Sequence, residues 1–309
     1  MRVSKAIIVV FLAACMLPTL AFAQLWSDSL SFFDKSPSLN KTRVWTVAGT
    51  EAALVAGTYV GLNQLWYADY PKSDFHLYND NSSWLQMDKA GHAMTSYYVG
   101  YTGMEVLKWS GVSDKKSVWY GGTLGFAYLA GIEVMDGFSS EWGFSWGDIA
   151  ANGAGAALLI GQELLWQEQR ITMKFSYHGT SYAEVSPDLL GNSWNTSILK
   201  DYNGQTYWLS FNVHDLTGWN AWPQWLNVAA GYGADGMVSA QYNASYYDKN
   251  PEYKWQRQFY ASLDIDLRKI PVKNKFLKSV LNTINFIKVP MPTIEWNQKG
   301  SPEYYWLYF

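Results

Sequence analysis

Two periodicities divide this chain of 309 residues. Up to about Gln169 apolar residues recur at helical spacing, and beyond Thr206 they alternate with period two. The first pattern predicts four long helices, over Thr46–Trp66, Lys89–Trp109, Ser117–Phe138 and Trp146–Gln167, each rich in Ala, Gly, Leu and aromatics. Pro71 with the polar stretch Tyr78–Ser83, then Asp114–Lys116, then Ser139–Gly143 separate them. Four apolar helices with short connections imply a bundle. In the second pattern Tyr207, Leu209, Phe211 and Val213 alternate with Trp208, Ser210, Asn212 and His214. Phe259, Ala261, Leu263, Ile265 and Leu267 alternate in the same way with Gln258, Tyr260, Ser262, Asp264 and Asp266, so both segments read as strands. Trp225–Tyr232 and Met237–Tyr247 are further strands, with Gly233 and Gly236 at the turn between them. Lys275–Lys288 reads as an amphipathic helix with Leu277, Val280, Leu281, Ile284 and Ile287 on one face, ended by Pro290 and Pro292.

The expected fold is therefore α+β, a four-helix apolar bundle followed by an antiparallel β-rich C-terminal region. Residues 24–170 form the bundle, 171–205 connect, and 206–309 form the β-rich region with its one amphipathic helix. Alternating strands, many aromatics and the terminal Phe309 are features of outer-membrane barrels. Five or six strands fall short of the roughly eight that a single-chain barrel needs. A curved sheet packed on the bundle, or inserted at an outer-membrane surface, fits that count. Whether the bundle spans a membrane stays open. Val118–Ile132 and Ile149–Gly161 are uncharged but shorter than the about 20 residues of a span. Glu51, Glu105 and Lys108 interrupt the other two helices. Gly121, Gly125, Gly153, Ala157 and Gly161 suit close helix contact in lipid or in a protein core alike.

The N-terminus adds export to this picture. Arg2 and Lys5, the apolar run Ala6–Leu20 and the small-x-small site Ala21-Phe22-Ala23 make residues 1–23 a signal peptide. Leu12-Ala13-Ala14-Cys15 also has the form of a lipobox, which would make Cys15 a lipidated first residue, although Met16–Leu20 stay apolar after it. Cys15 is the only cysteine, so neither disulfides nor thiolate metal sites hold the mature chain. Aromatics reach 17% and charged residues only 16%, against about 25% charged in a typical protein. That balance favours a chain that meets lipid or packs much aromatic surface. A net charge of -3 leaves no basic footprint for nucleic acid.

Against this apolar background a set of polar residues stands out: Asp88, His92, Glu133, Asp136, Ser145, Asp148 and Asn152. Ionised groups among apolar neighbours are costly unless paired, hydrogen-bonded or bound to metal. Asp88 and His92 are four apart, Glu133 and Asp136 three, Asp148 and Asn152 four, so each pair shares a helix face. A carboxylate beside imidazole orients one ring nitrogen and leaves the other to take a proton or a metal. Paired carboxylates hold a divalent cation or split into acid and base. Structural roles compete with these. Ser145-Trp146-Gly147-Asp148 has capping-box form, Asp88 can cap its helix, and a lone His on an apolar face is usually a hydrogen-bonded core residue. Glu133, after Leu129-Ala130-Gly131-Ile132, is the hardest to explain without a partner.

The run Asp88-Lys89-x-x-His92, Glu133-x-x-Asp136-Gly137 and Phe144-Ser145-x-x-Asp148-x-x-x-Asn152-x-x-Gly155 resembles the signature of VanZ-like membrane proteins, and more closely that of the YfiM-like envelope lipoproteins. Asp136 stands where the VanZ-like pattern usually has glutamine. The resemblance covers Met87–Ala157, about a quarter of the chain. It implies a helical, membrane-associated bundle with a common polar centre. No settled activity travels with it.

No G-x-S-x-G, H-E-x-x-H or glycine-rich phosphate loop is present, and His76, His178 and His214 stand isolated. Arginine is too sparse in the helices for a phosphate clamp. Two hypotheses follow. The first is a non-enzymatic envelope component whose polar centre locks the helices and binds a membrane lipid or an envelope protein. The second is a metal-assisted hydrolase or transferase acting on a lipid or cell-wall precursor. There His92 would be base or ligand, Glu133 and Asp136 ligands or acid, and Asp88 the orienting group. Cofactor and oligomeric state are not specified by the sequence.

Overall fold

In the computed structural model, which describes residues 31–64, 71–298 and 300–309, the helical half carries five long helices rather than four. The signal-peptide and lipobox expectations, Cys15 included, fall outside the described residues. Helix α1 is Lys41–Leu62, started by Asn40, whose side chain accepts the Arg43 N–H. Helix α2 is Met87–Trp109, α3 Asp114–Gly122, α4 Leu124–Asp136 and α5 Trp146–Trp166. The single helix expected over Ser117–Phe138 breaks at Thr123. Gly121 and Gly122 are weak helix formers, and the Thr123 hydroxyl bonds the Trp119 carbonyl at 2.7 Å, competing with the helical ladder. The break divides the uncharged run Ser117–Ile132. No described helix is long and apolar enough to cross a membrane.

Contacts divide the chain into a helical unit, through Asn79 with Thr95–Leu164, and a sheet unit of Asp80–Met94 with Leu165–Phe309. The division falls inside the unbroken helix α2. In the helical unit two glycines allow backbones to meet. A Cβ at Gly125 would lie 2.0 Å from the Ser96 carbonyl oxygen, and one at Gly121 2.2 Å from the Met104 nitrogen. Gly161, of the same sequence set, faces open space.

The sheet unit is one six-stranded antiparallel meander in chain order. Its strands are β1 Ile171–Tyr177, β2 Gln205–Asn212, β3 Leu226–Asp235, β4 Gln256–Ile265, β5 Met291–Asn297 and β6 Glu303–Tyr308. Three expectations are corrected. Segment 171–205, expected as a connection, opens with β1, whose Ile171, Met173, Phe175 and Tyr177 alternate with Thr172, Lys174 and Ser176. Met237–Tyr247, expected as a strand, begins as buried loop and ends in a helical turn at Ala244–Tyr247. Asn243 starts that turn by accepting the Tyr246 N–H, and Met237, Val238 and Tyr247 join a core with Met87 and Trp255. The amphipathic helix, α6, is Lys275–Ile284 and stops short of Ile287, which instead bridges to Phe175.

That bridge curls the sheet. The free edge of β1 takes up the segment before β5: Phe175 N–H donates to the Phe286 carbonyl at 2.8 Å and Lys288 N–H to the Phe175 carbonyl at 2.9 Å. The concave side is filled by the aromatic cluster of Trp208, Tyr260 and Tyr308 with Ala229, and by buried charges. Lys174 Nζ lies 2.7 Å from Asp264 Oδ2, which also accepts the Ser210 hydroxyl at 2.6 Å. Lys288 Nζ lies 4.0 Å from Asp264 Oδ1 and 5.0 Å from the centre of the Trp208 ring. Lys174, Lys288 and Asp264 are all 0% exposed. Tyr308 donates to Tyr260 at 2.8 Å, and Trp208 Nε1 to Ser176 at 3.0 Å.

The convex side is apolar. Register places Met173, Leu209, Ala230, Ala261, Ile294 and Tyr304 in one cross-strand row. Phe175, Tyr207, Tyr232, Phe259 and Trp296 form the next, and Phe211, Val228 and Leu263 a third. Leu209, Val228, Phe259, Trp296 and Tyr304 are exposed. At one end of this side the Met87 core, with Trp84, Leu85, Tyr207 and Tyr232, covers the strands. An antiparallel sheet in water ordinarily buries its apolar face. This one is inverted.

Burial lowers both interior lysines, Lys288 to about 8, against the opposing pull of Asp264. The unfolded chain holds the Lys288 proton up to its ordinary value of 10.5, so above pH 8 it binds more protons than the folded chain. Stability should therefore rise with pH from about 8 to 10, by about 2 kcal/mol from this group. Urea unfolding across that range should show the rise in the unaltered chain and a clearly flatter dependence in Lys288→Met.

Candidate functional site

Helix α2 begins from a strained turn. Trp84, Leu85 and Gln86 carry φ of 49°, 51° and 65°, a left-handed run that costs about 1–2 kcal/mol per residue. Contacts from the sheet unit hold it. Trp84 N–H donates to the Ala240 carbonyl at 3.1 Å, and the Leu85 carbonyl accepts from Tyr232 OH and from Arg257 Nη1. Asp88 then falls in the first turn of α2 rather than ahead of it as a cap. Lys89 Nζ joins Asp88 at 3.0 Å to Asp80 at 2.6 Å, all three side chains mostly buried. Asp88 Oδ1 is buried with no hydrogen-bond partner among the described residues. His92 lies one turn further along, half-buried. Between them Gly91 lies close to the sheet, and a Cβ there would stand 2.9 Å from the Tyr207 hydroxyl, which would have to shift.

In the helical unit the polar residues of α4 and α5 are linked. Glu133 is 1% exposed and its Oε2 accepts the Ser145 N–H at 3.2 Å. Ser145 Oγ in turn accepts the Asp148 N–H at 3.1 Å, the N-cap bond expected of it. A reciprocal capping box would have the Asp148 carboxylate take the Ser145 amide. Here Glu133, from the preceding helix, takes that amide, and Asp148 itself is buried. Asn152, one turn along α5, is fully buried, and its carbonyl accepts the Ser96 hydroxyl at 2.7 Å.

Of the sequence-expected site residues, Asp88 and His92 lie in the Asp80–Met94 stretch of the sheet unit, while Glu133 and Asp136, the last residue of α4, lie in the helical unit. Asp80 lies outside the sequence-expected set, because Asn79-Asp80-Asn81 reads as a solvated connection. Its approach to Lys89 follows from the left-handed turn, which no periodicity reveals.

Residues 75–161 match the model of a family described as "Predicted periplasmic lipoprotein (DUF2279)". The match covers well under a third of the chain, yet it takes in the whole polar set and leaves out the sheet. It supports an exported protein of the cell envelope. No curated protein and no solved structure matches the chain.

Glu133→Ala strands the Ser145 amide and should cost about 3 kcal/mol of stability, while Ser145→Ala should cost about 1 kcal/mol as the loss of an N-cap. Urea unfolding of both variants beside the unaltered chain checks the order and the sizes.

Proposed function

We propose that this chain is a non-enzymatic component of the cell envelope that associates with the outer membrane by laying the convex face of its sheet against lipid. The observation that carries this is the inversion of the sheet, with Lys174, Asp264 and Lys288 inside and Leu209, Val228, Phe259 and Trp296 outside. Polar-in, apolar-out alternation is the pattern of strands whose solvent is hydrocarbon. The polar set on the helices then serves as a structural lock, in keeping with the resemblance of Asp88–Asn152 to YfiM-like and VanZ-like proteins. The six strands among the described residues are fewer than the roughly eight of a single-chain barrel, which favours contact with one leaflet. The test is flotation of the full chain, carrying Cys15→Ser to exclude acyl anchoring, with phosphatidylethanolamine–phosphatidylglycerol vesicles. The chain should float. Leu209→Gln with Phe259→Gln should weaken binding at least about tenfold while leaving the melting temperature nearly unchanged, since both side chains are exposed. A chain that stays at the bottom of the gradient refutes the reading.

A further inference from the structure

We infer that the rim of the sheet bearing α6 and the loop Trp219–Trp225 recognises anionic phospholipid headgroups and so sets which end of the sheet meets the bilayer. The inference rests on the lipid reading above and adds to it a headgroup chemistry and an orientation. In an antiparallel meander the β2–β3 and β4–β5 connections leave the same rim, so the tryptophan loop and α6 are neighbours on one edge of the sheet.

Three features of that rim converge. From Leu267 to Ile294 the chain has six basic residues and no acidic one, within a protein of net charge -3. Of the six, Arg268 pairs with Asp266 at 2.7 Å, Lys269 with Asp215 at 2.6 Å, and Lys288 is buried inside the sheet. Lys273, Lys275 and Lys278 are exposed. Helix α6 itself has no buried residue. Phe276, Leu277, Val280, Leu281 and Ile284 occupy an arc of about 140°, with Lys275, Lys278 and Asn282 on the other side. Phe276 and Leu277 are exposed while Val280, Leu281 and Ile284 are half-buried, and a short helix with lysines opposite an apolar face only partly covered suits a bilayer interface. On the same rim Trp219 and Trp225 are exposed, and Trp222 stands 5.4 Å from Trp219 with its Nε1 bonded to the Leu226 carbonyl. Indole rings prefer headgroup depth, where one edge is wet and the other apolar.

The occupant is a lipid surface rather than an acidic protein because the apolar side of the rim continues the convex face. Ile265 ends β4 beside Leu226 of β3, and both side chains belong to the outward set. A protein partner would need to match the lysines and that whole band together, whereas a leaflet offers both as anionic headgroups above hydrocarbon. The opposite rim lacks this combination: Lys249 and Lys254 are exposed there, but Glu252 and Asp248 stand beside them.

The experiment compares flotation of the full chain, with Cys15→Ser throughout, on phosphatidylcholine vesicles and on an equimolar mixture with phosphatidylglycerol. Each lysine near an anionic surface is worth about fivefold in binding, so the chain should prefer the anionic vesicles by on the order of a hundredfold at low salt. Lys273→Gln, Lys275→Gln and Lys278→Gln together should abolish most of that preference and leave binding to phosphatidylcholine in place. Lys249→Gln with Lys254→Gln, a matched loss of charge on the other rim, should keep it. Equal binding of the unaltered chain to both vesicles overturns this inference and spares the lipid reading, as does a triple variant that keeps its preference or a control pair that loses it. Binding to neither vesicle overturns both.

Discussion

Asp264 lies between Lys174 at 2.7 Å and Lys288 at 4.0 Å, on strands that meet only if the sheet curls. Lys174 is on β1, Asp264 on β4, and Lys288 just ahead of β5. Each charge alone in a dry interior would cost several kcal/mol, and the cost is offset only by its neighbours and by hydrogen bonds to Ser210, Ile265 and Val289. Curling and ion pairing are therefore one event. Because side chains alternate along a strand, a concave side that holds these charges also forces the apolar set outward. The exposed band of Leu209, Val228, Phe259 and Trp296 follows from what Asp264 gathers inside.

The helical unit solves the same problem with less charge. Glu133 is buried on α4, and its carboxylate is accommodated by a backbone amide at the start of α5. The amide of Ser145 is one of the donors a helix start leaves unpaired, and the positive end of the helix dipole favours a carboxylate there. Ser145 and Glu133 together cap α5: Ser145 Oγ accepts the Asp148 N–H, and Glu133 accepts the Ser145 N–H. A sequence pattern that reads as a purely local cap is thus completed by an acid 12 residues earlier in the chain.

Much of this was legible in the chain. The end of the helical pattern near Gln169 matches the close of α5, and the period-two stretches in β2 and β4 are in register with the structure, although period two is expected only from Thr206 and the sheet begins earlier, at Ile171. The polar residues stand out because acids inside Ala- and Gly-rich helices need a partner. The features the sequence conceals have specific causes. β1 alternates as clearly as β2, but Lys174 sits at a position that burial makes polar, against the usual expectation for an interior. The break at Thr123 lies within a run whose apolar character looks continuous, and only the competing hydroxyl bond and the two preceding glycines mark it. Met237–Tyr247 has strand composition, yet its aromatics are used in a core beside Trp255. Asp80 reaches Lys89 through left-handed residues that carry no sequence signature, since neither Trp84 nor Leu85 favours that conformation.

The edges of the sheet limit how such a face can meet lipid. β1 is covered along part of its outer edge by residues 286–288, whereas β6 has no strand on its far side among the described residues. An open row of N–H and C=O groups is tolerated in water and is costly in hydrocarbon, where each unsatisfied group costs several kcal/mol. Full insertion would place the β6 edge in that medium. A closed barrel escapes the cost, and a six-stranded sheet with one free edge does not. The depth that satisfies both constraints is shallow: convex apolar side chains in the acyl region, the β6 backbone at the headgroups or above. Exposed Tyr304 and Trp306, aromatic side chains at the edge itself, suit that depth, where indole and phenol find hydrocarbon on one side and water on the other.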